Sequence, residues 1–190
     1  MSRVEIRVSG FGGQGIILSG RIIGMAAAIY EGKQATFNQS YGPEARGSAC
    51  SAQVIVADEL IHYPYVSGLD ILVAMSQEAY VKFSPELSDN GLLLVESDLV
   101  KAEKFPPNVR QFSIPATRLA EKMGRKIVAN IVMLGFFTAM SDLFNPESMK
   151  QAMLSCVPKG TEELNQNAFG AGYDFGMNLK KGAKAEAVAG

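Results

Sequence analysis

The run Gly10-Phe11-Gly12-Gly13-Gln14-Gly15 has the spacing G-x-G-x-x-G. It follows a strand-like stretch and precedes a helix-like one, the setting in which such a loop brings backbone amides to a phosphate and a helix dipole favours an anion. The same glycines would serve a structural turn between strand and helix, or a subunit contact, and the loop by itself leaves these readings open. A second polar run, Ser40-Tyr41-Gly42-Pro43-Glu44-Ala45-Arg46-Gly47, reads as a loop after the second strand. Arg46 could fork onto a phosphate or a partner carboxylate, or close on Glu44 and only shape the loop.

Other chemistry is harder to support. A dinucleotide site needs an acid about 20 residues on, at the end of the second strand. Glu31 has that count but precedes the strand expected over Lys33–Asn38, so NAD and FAD are disfavoured. No Gly-Lys-Ser/Thr follows the glycines, which excludes a P-loop. His62 has no serine or cysteine nucleophile in a recognisable context, and beside Tyr63-Pro64-Tyr65 it reads as part of a packed turn. Cys50 and Cys156 lie far apart, and with one histidine they cannot furnish the thiolates of a typical iron–sulfur cluster or a structural zinc site. Both read as buried small residues. Asp70 and Asp98, at strand ends, read as capping or pairing acids, and the scattered methionines as filler. No catalytic residue and no metal ligand is assigned.

The frame that positions the two loops follows from pattern and composition. The chain has 190 residues, 47% of them hydrophobic, with 18 Lys+Arg against 19 Asp+Glu. Its mean hydropathy is +0.09, enough for one domain with a sizeable core. Near-neutral charge makes no case for nucleic acid or an anionic membrane surface. The longest apolar stretch, Ile127–Met140, falls short of a bilayer span, and the first residues carry no signal-peptide pattern, so a cytoplasmic protein is expected. Alternation over Val4–Val8 predicts a strand, Gly15–Tyr30 a helix, and Ser48–Ala57 a strand with a short return at Ile61-His62-Tyr63. Leu69–Ala74 and Gly91–Glu96 read as strands covered on both faces. Ser76 is the expected N-cap of a helix bounded by Pro85. Val109–Ile114 is a last strand, followed by helices near Thr117–Met123, Ile127–Ser141, Pro146–Cys156 and Thr161–Lys180. The alternation argues for an α/β fold with a mostly parallel or mixed sheet and C-terminal covering helices. Residues 1–180 form the expected single domain, and 181–190, rich in Lys, Ala and Gly, a flexible or loosely helical tail.

The two glycine-rich runs, followed by Asp70–Ala74 leading into Met75-Ser76-Gln77-Glu78-Ala79-Tyr80, together resemble the gamma subunit of the 2-oxoacid:ferredoxin oxidoreductases, over about residues 3–180. The resemblance implies a three-layer α/β/α sandwich within a larger enzyme that oxidatively decarboxylates a 2-oxoacid, passing the acyl group to coenzyme A and electrons to ferredoxin. Thiamine diphosphate, Mg and iron–sulfur clusters then belong to partner subunits, alpha, beta and, where present, delta, and this chain binds no cofactor alone. Its form is most similar to members acting on 2-oxoglutarate, with branched-chain 2-oxoacids and pyruvate as competitors. On this resemblance Gly10, Gly12, Gly13, Gln14, Gly15, Ser40, Tyr41, Gly42 and Arg46 face a partner subunit or the coenzyme A phosphates, and the chain supports assembly without being catalytic. Two rivals remain: a free-standing nucleotide- or coenzyme A-binding module, and a small Rossmann-type reductase.

Overall fold

Six strands and the helices between them carry the glycine loop, as seen in a computed structural model that describes residues 3–40 and 49–189. The strands are β1 (Val4–Phe11), β2 (Gln34–Ser40), β3 (Ala49–Ala57), β4 (Leu69–Ala74), β5 (Leu87–Glu96) and β6 (Arg110–Ile114), ordered β2-β3-β1-β4-β5-β6. β1, β4, β5 and β6 run parallel, while β3 is antiparallel to both β1 and β2. The sheet is therefore mixed. The helices are α1 (Ile16–Met25), α2 (Gln77–Phe83), α3 (Ala116–Lys122), α4 (Ala129–Ser141), α5 (Pro146–Cys156) and α6 (Glu162–Ala189).

The two sheet faces are unequal. Ile6, Val8, Ile71, Val73, Leu92 and Leu94 point into a large core shared with α1, α4 and α5. Every residue of α4 is buried, because α6 packs over it as a further layer. The opposite face has a smaller core, Leu72, Ala74, Leu93 and Val95 against Ala79, Tyr80 and Phe83 of α2. Two covered faces explain why β4 and β5 read as continuous apolar runs. Ser76 caps α2 by accepting a hydrogen bond from the Ala79 amide at 3.2 Å.

The β1 alternation suggests one wet face, yet Glu5, Arg7 and Ser9 are buried. Arg7 lies over the Phe83 ring at 4.4 Å and pairs with Glu86. Glu5 accepts hydrogen bonds from the amides of Ser67 and Gly68 and from Arg3. Burial alone would push its carboxyl up, but these donors and the Arg3 charge outweigh it and hold the group below the ordinary range. The expected return strand at Ile61-His62-Tyr63 does not form. Instead the Pro64 carbonyl accepts from Thr36 Oγ1 and Asn38 Nδ2, and the Tyr63 and Tyr65 carbonyls accept from Arg3. Side chains rising from the sheet thus take up carbonyls that a ladder would otherwise satisfy, and the segment lies across the sheet face. His62, expected in a packed turn, is exposed. The helix expected over Gly15–Tyr30 ends in a π-helical turn, Ala26–Tyr30, closed by Gly32 at φ +64°. The backbone of α6 is helical as far as Ala189.

Glu96, the last residue of β5, is fully buried. Its Oε1 accepts from the Thr117 amide at 3.1 Å, while Oε2 has no hydrogen-bond partner among the described residues. Burial pushes its pKa up against the pull of the Thr117 amide, and Asp98 adds to the rise. A folded-state pKa above the unfolded one gives stability that is full at low pH and is lost as pH rises through the raised value. Glu96→Gln keeps the acceptor and cannot ionise. Its unfolding temperature is expected to fall less than the parent's as pH rises above the ordinary carboxylate range; parallel pH profiles for the two proteins would contradict this.

Candidate functional site at the carboxyl edge of the sheet

Because β1, β2, β4, β5 and β6 point the same way, their carboxyl ends share one edge. The strand order reverses at β1, with β3 and β2 on one side and β4 to β6 on the other. In open α/β sheets such a switch point is where ligands bind. The glycine loop emerges there, and Gly10 is the penultimate residue of β1. Ser40 ends β2 and pairs with Ser51, whose other neighbour is Ser9. Ser40 and the glycine loop are thus on the same edge, two strands apart. Tyr41, Gly42 and Arg46 lie outside the described residues.

Gln14 shapes the loop. Its Nε2 donates to the Met75 carbonyl at 2.9 Å and its Oε1 accepts from the Phe11 amide at 2.6 Å, so it ties the loop to the end of β4. A Cβ on Gly10 would sit 2.5 Å from that Oε1 and 2.8 Å from Ile16 Cδ1. Gly13 and Gly15 have φ of +92° and +73°, which L side chains adopt at a cost. The Gly15 carbonyl accepts from Ser19 N, Ser19 Oγ and Asn130 Nδ2 at 3.0, 3.1 and 3.3 Å. The amides of Gly12, Gly13 and Gly15 find no acceptor among the described residues, and no side chain caps α1. This leaves donors and a positive helix end facing out.

Two cavities flank Gly13. The larger, about 390 Å³, is bounded by Gly13, Gly15, Arg125, Asn130 and Asn165 with aliphatic walls. The smaller, about 260 Å³, is bounded by Gly13, Gln14, Met75, Thr117 and Lys126. The turn Gly124–Lys126 between α3 and α4 was not singled out by sequence reasoning. Its signal was a glycine followed by two cations between helices, Gly124 having φ +79°. Asn130 lies in the apolar stretch Ile127–Met140, and an amide side chain in such a run was itself the clue. Several other candidates have structural partners. Glu31 pairs with Lys33 at 2.7 Å and accepts from the Asn145 amide, Asp70 accepts from the Glu5 amide, and Asp98 pairs with Arg118. Cys50 is buried in β3, and Cys156 is half-buried beside Met25. Burial pushes the Cys50 thiol up, away from thiolate chemistry. Among the described residues no three His, Cys, Asp or Glu side chains converge on a metal-sized space, and no helix is long and apolar enough to cross a membrane.

Residues 5–175 match the pyruvate ferredoxin/flavodoxin oxidoreductase family. The chain belongs to this family. Within it, the 2-oxoglutarate synthase subunit KorC of Methanocaldococcus jannaschii is 51% identical over 179 residues, covering 93% of this chain and 96% of that one. The gamma subunit of a keto/oxoacid ferredoxin oxidoreductase from Geobacter sulfurreducens superposes with a TM-score of 0.82 at 44% identity, over 92% of this chain and 96% of that one. The 2-oxoglutarate:ferredoxin oxidoreductase of Magnetococcus marinus, solved with 2-oxoglutarate, coenzyme A and succinyl-CoA bound, superposes at 0.81 with 23% identity, over 93% of this chain and 31% of that chain. At that identity the likeness is one of fold. The three-layer oxidoreductase gamma-subunit architecture thus accounts for the lopsided sheet, with its carboxyl edge left for the glycine loop.

Proposed function

We propose that this chain is the gamma-type subunit of a multi-subunit 2-oxoglutarate:ferredoxin oxidoreductase. The enzyme oxidatively decarboxylates 2-oxoglutarate, transfers the acyl group to coenzyme A and passes two electrons to ferredoxin. What carries the reading is the 51% identity, across nearly the full length of both chains, to a 2-oxoglutarate synthase subunit. Two thiols on separate elements, one buried in the sheet and one packed beside a methionine, do not fit an iron–sulfur cluster. As the resemblance to this family implies, the clusters, thiamine diphosphate and Mg reside in partner subunits, alpha, beta and, where present, delta, and the complex is cytoplasmic. This chain contributes the carboxyl edge. The amides of Gly12, Gly13 and Gly15, set by Gly10 and Gln14, offer hydrogen bonds to coenzyme A phosphates, and Ser40, Tyr41, Gly42 and Arg46 complete that side of the contact. No group of this chain changes covalently.

Purification of the chain from its native cells at endogenous level tests the reading. Thiamine- and cluster-bearing subunits are expected to co-purify, and the preparation to reduce ferredoxin with 2-oxoglutarate faster than with pyruvate or 2-oxoisovalerate. A chain that elutes alone, or a complex that prefers pyruvate, would refute it.

A further inference from the structure

The sheet ends on two edge strands that differ in kind. β6 is five residues long and opens on Arg110. β2 runs for seven residues, Gln34–Ser40, without a charge or a proline, and pairs with β3 residue for residue without a bulge. Its outward backbone groups meet no partner among the described residues. Short length, charge, proline and bulges are the devices that keep an edge from pairing with another chain, and β2 has none of them. Both sides of this edge are built up. On the α1 face a groove of about 220 Å³ runs beside it, with Met25, Ala28 and Ile29 against Ala35 and Phe37. Ile29, in the π-helical turn, is 69% exposed. On the opposite face Thr36 and Asn38 hold the Pro64 carbonyl, and Arg3 holds those of Tyr63 and Tyr65. The two tyrosine rings, 5.6 Å apart and 59% and 55% exposed, thus stand on a backbone already fixed, and a fixed surface gives up little freedom on binding.

An open strand edge between two apolar lips fits an extended chain, whose backbone bonds to β2 while its side chains alternate between the groove and the tyrosines. The groove also carries a charge. Arg21 borders it, is exposed and has no carboxylate partner among the described residues. The matching strand therefore bears an acid two residues from the apolar side chain that fills the groove, on the same face. A second copy of this chain lacks that acid. Its β2 has none, Glu31 just before it is held by Lys33 at 2.7 Å, and two-fold pairing would only bring a second Arg21 to the junction. Resting on the reading that this chain works in a multi-subunit enzyme, we propose that a partner subunit adds an extended strand to β2, with an apolar side chain in the groove and a carboxylate on Arg21. The contact runs along the flank of the sheet, two strands away from the glycine loop.

Hydrogen exchange read residue by residue, on the full chain alone and on the complex purified from native cells, tests this. Alternate amides of Gln34–Ser40, the ones that point outward, are expected to slow at least about tenfold on assembly, while those bonded to β3 are slow in both. Arg21→Glu and Ile29→Asp, both at exposed positions, should leave the unfolding temperature of the chain unchanged and weaken its affinity for the thiamine- and cluster-bearing subunits at least about tenfold. Arg21→Lys, which keeps the charge, should lose less than Arg21→Glu. If exchange over β2 is the same in the chain and the complex, or if Arg21→Glu and Ile29→Asp assemble like the parent, the strand addition is overturned while the complex stands. A chain that sediments alone as a dimer with its outward β2 amides already slow makes the occupant a second copy, and that also overturns the proposal. A chain that elutes without such subunits overturns it together with the proposed function.

Discussion

Gly172→Ala is expected to lower the unfolding temperature by about 4–8 °C, the fall that about 2 kcal/mol produces in a chain of this size. Helix α6 crosses α4 backbone to backbone. A Cβ on Gly172 would overlap the Val132 carbonyl oxygen and lie 2.8 Å from its carbon and 3.0 Å from the Phe136 amide nitrogen. Reciprocally, a Cβ on Gly135 would lie 2.9 Å from both the Phe169 carbonyl carbon and the Tyr173 amide nitrogen. Neither neighbour is a side chain that can swing away, so the helices must part along their length. Overpacking of this kind costs about 1–3 kcal/mol or more, against which alanine gains only about 1 kcal/mol of helix propensity over glycine. Gly170→Ala on the same helix meets no atom within 4 Å and is expected to have the opposite sign, a gain of up to about 1 kcal/mol. Thermal unfolding of both variants decides the matter; equal midpoints would mean that the crossing tolerates a methyl group. The consequence reaches the site, since α4 carries Asn130 and α6 carries Leu164 and Asn165.

Gly15→Ala is expected to have the largest effect on ligand binding, weakening coenzyme A at least about tenfold and costing about 2 kcal/mol of stability. Two terms add. An L residue held at φ +73° is strained by about 1–2 kcal/mol. The new Cβ would also lie 2.6 Å from Asn130 Cγ, forcing that side chain off the Gly15 carbonyl and disturbing both the loop and the cavity. Removing Asn130 to alanine in the Gly15→Ala background is expected to return the steric part and leave the backbone strain, a non-additivity that denaturant titrations of the four proteins would reveal. Strict additivity would show that the two residues do not interfere. Gly12→Ala, with open space around its Cβ, serves as the control and is expected to stay within about 0.5 kcal/mol of the parent.

Much of this architecture was legible because local patterns and tertiary demands agree. The apolar runs Leu69–Ala74 and Leu92–Val95 name strands buried on both faces, and burial on both faces is what they have. Ser76 and Pro146 mark helix starts at the residues that cap or open α2 and α5. Where the two levels conflict, pattern misleads. Glu5 and Arg7 alternate with apolar neighbours as though facing water, yet distant residues, Ser67, Gly68, Phe83 and Glu86, close over them. Ile61-His62-Tyr63 has the composition of a short strand, but Arg3 claims the carbonyl of Tyr63 and side chains on β2 claim that of Pro64.

The sequence by itself determined the α/β class, the glycine loop between strand and helix, and the exclusion of a P-loop, because these depend on residues adjacent along the chain. Only the tertiary structure decided that the glycine loop and the end of β2 share an edge, that β3 turns antiparallel, and that Arg125, Asn130 and Asn165 stand around the loop. The last of these brings together residues more than a hundred positions apart. Such meetings are set by how α4 and α6 pack on the sheet, and packing at close range depends on the shapes of many side chains at once, which no local pattern encodes.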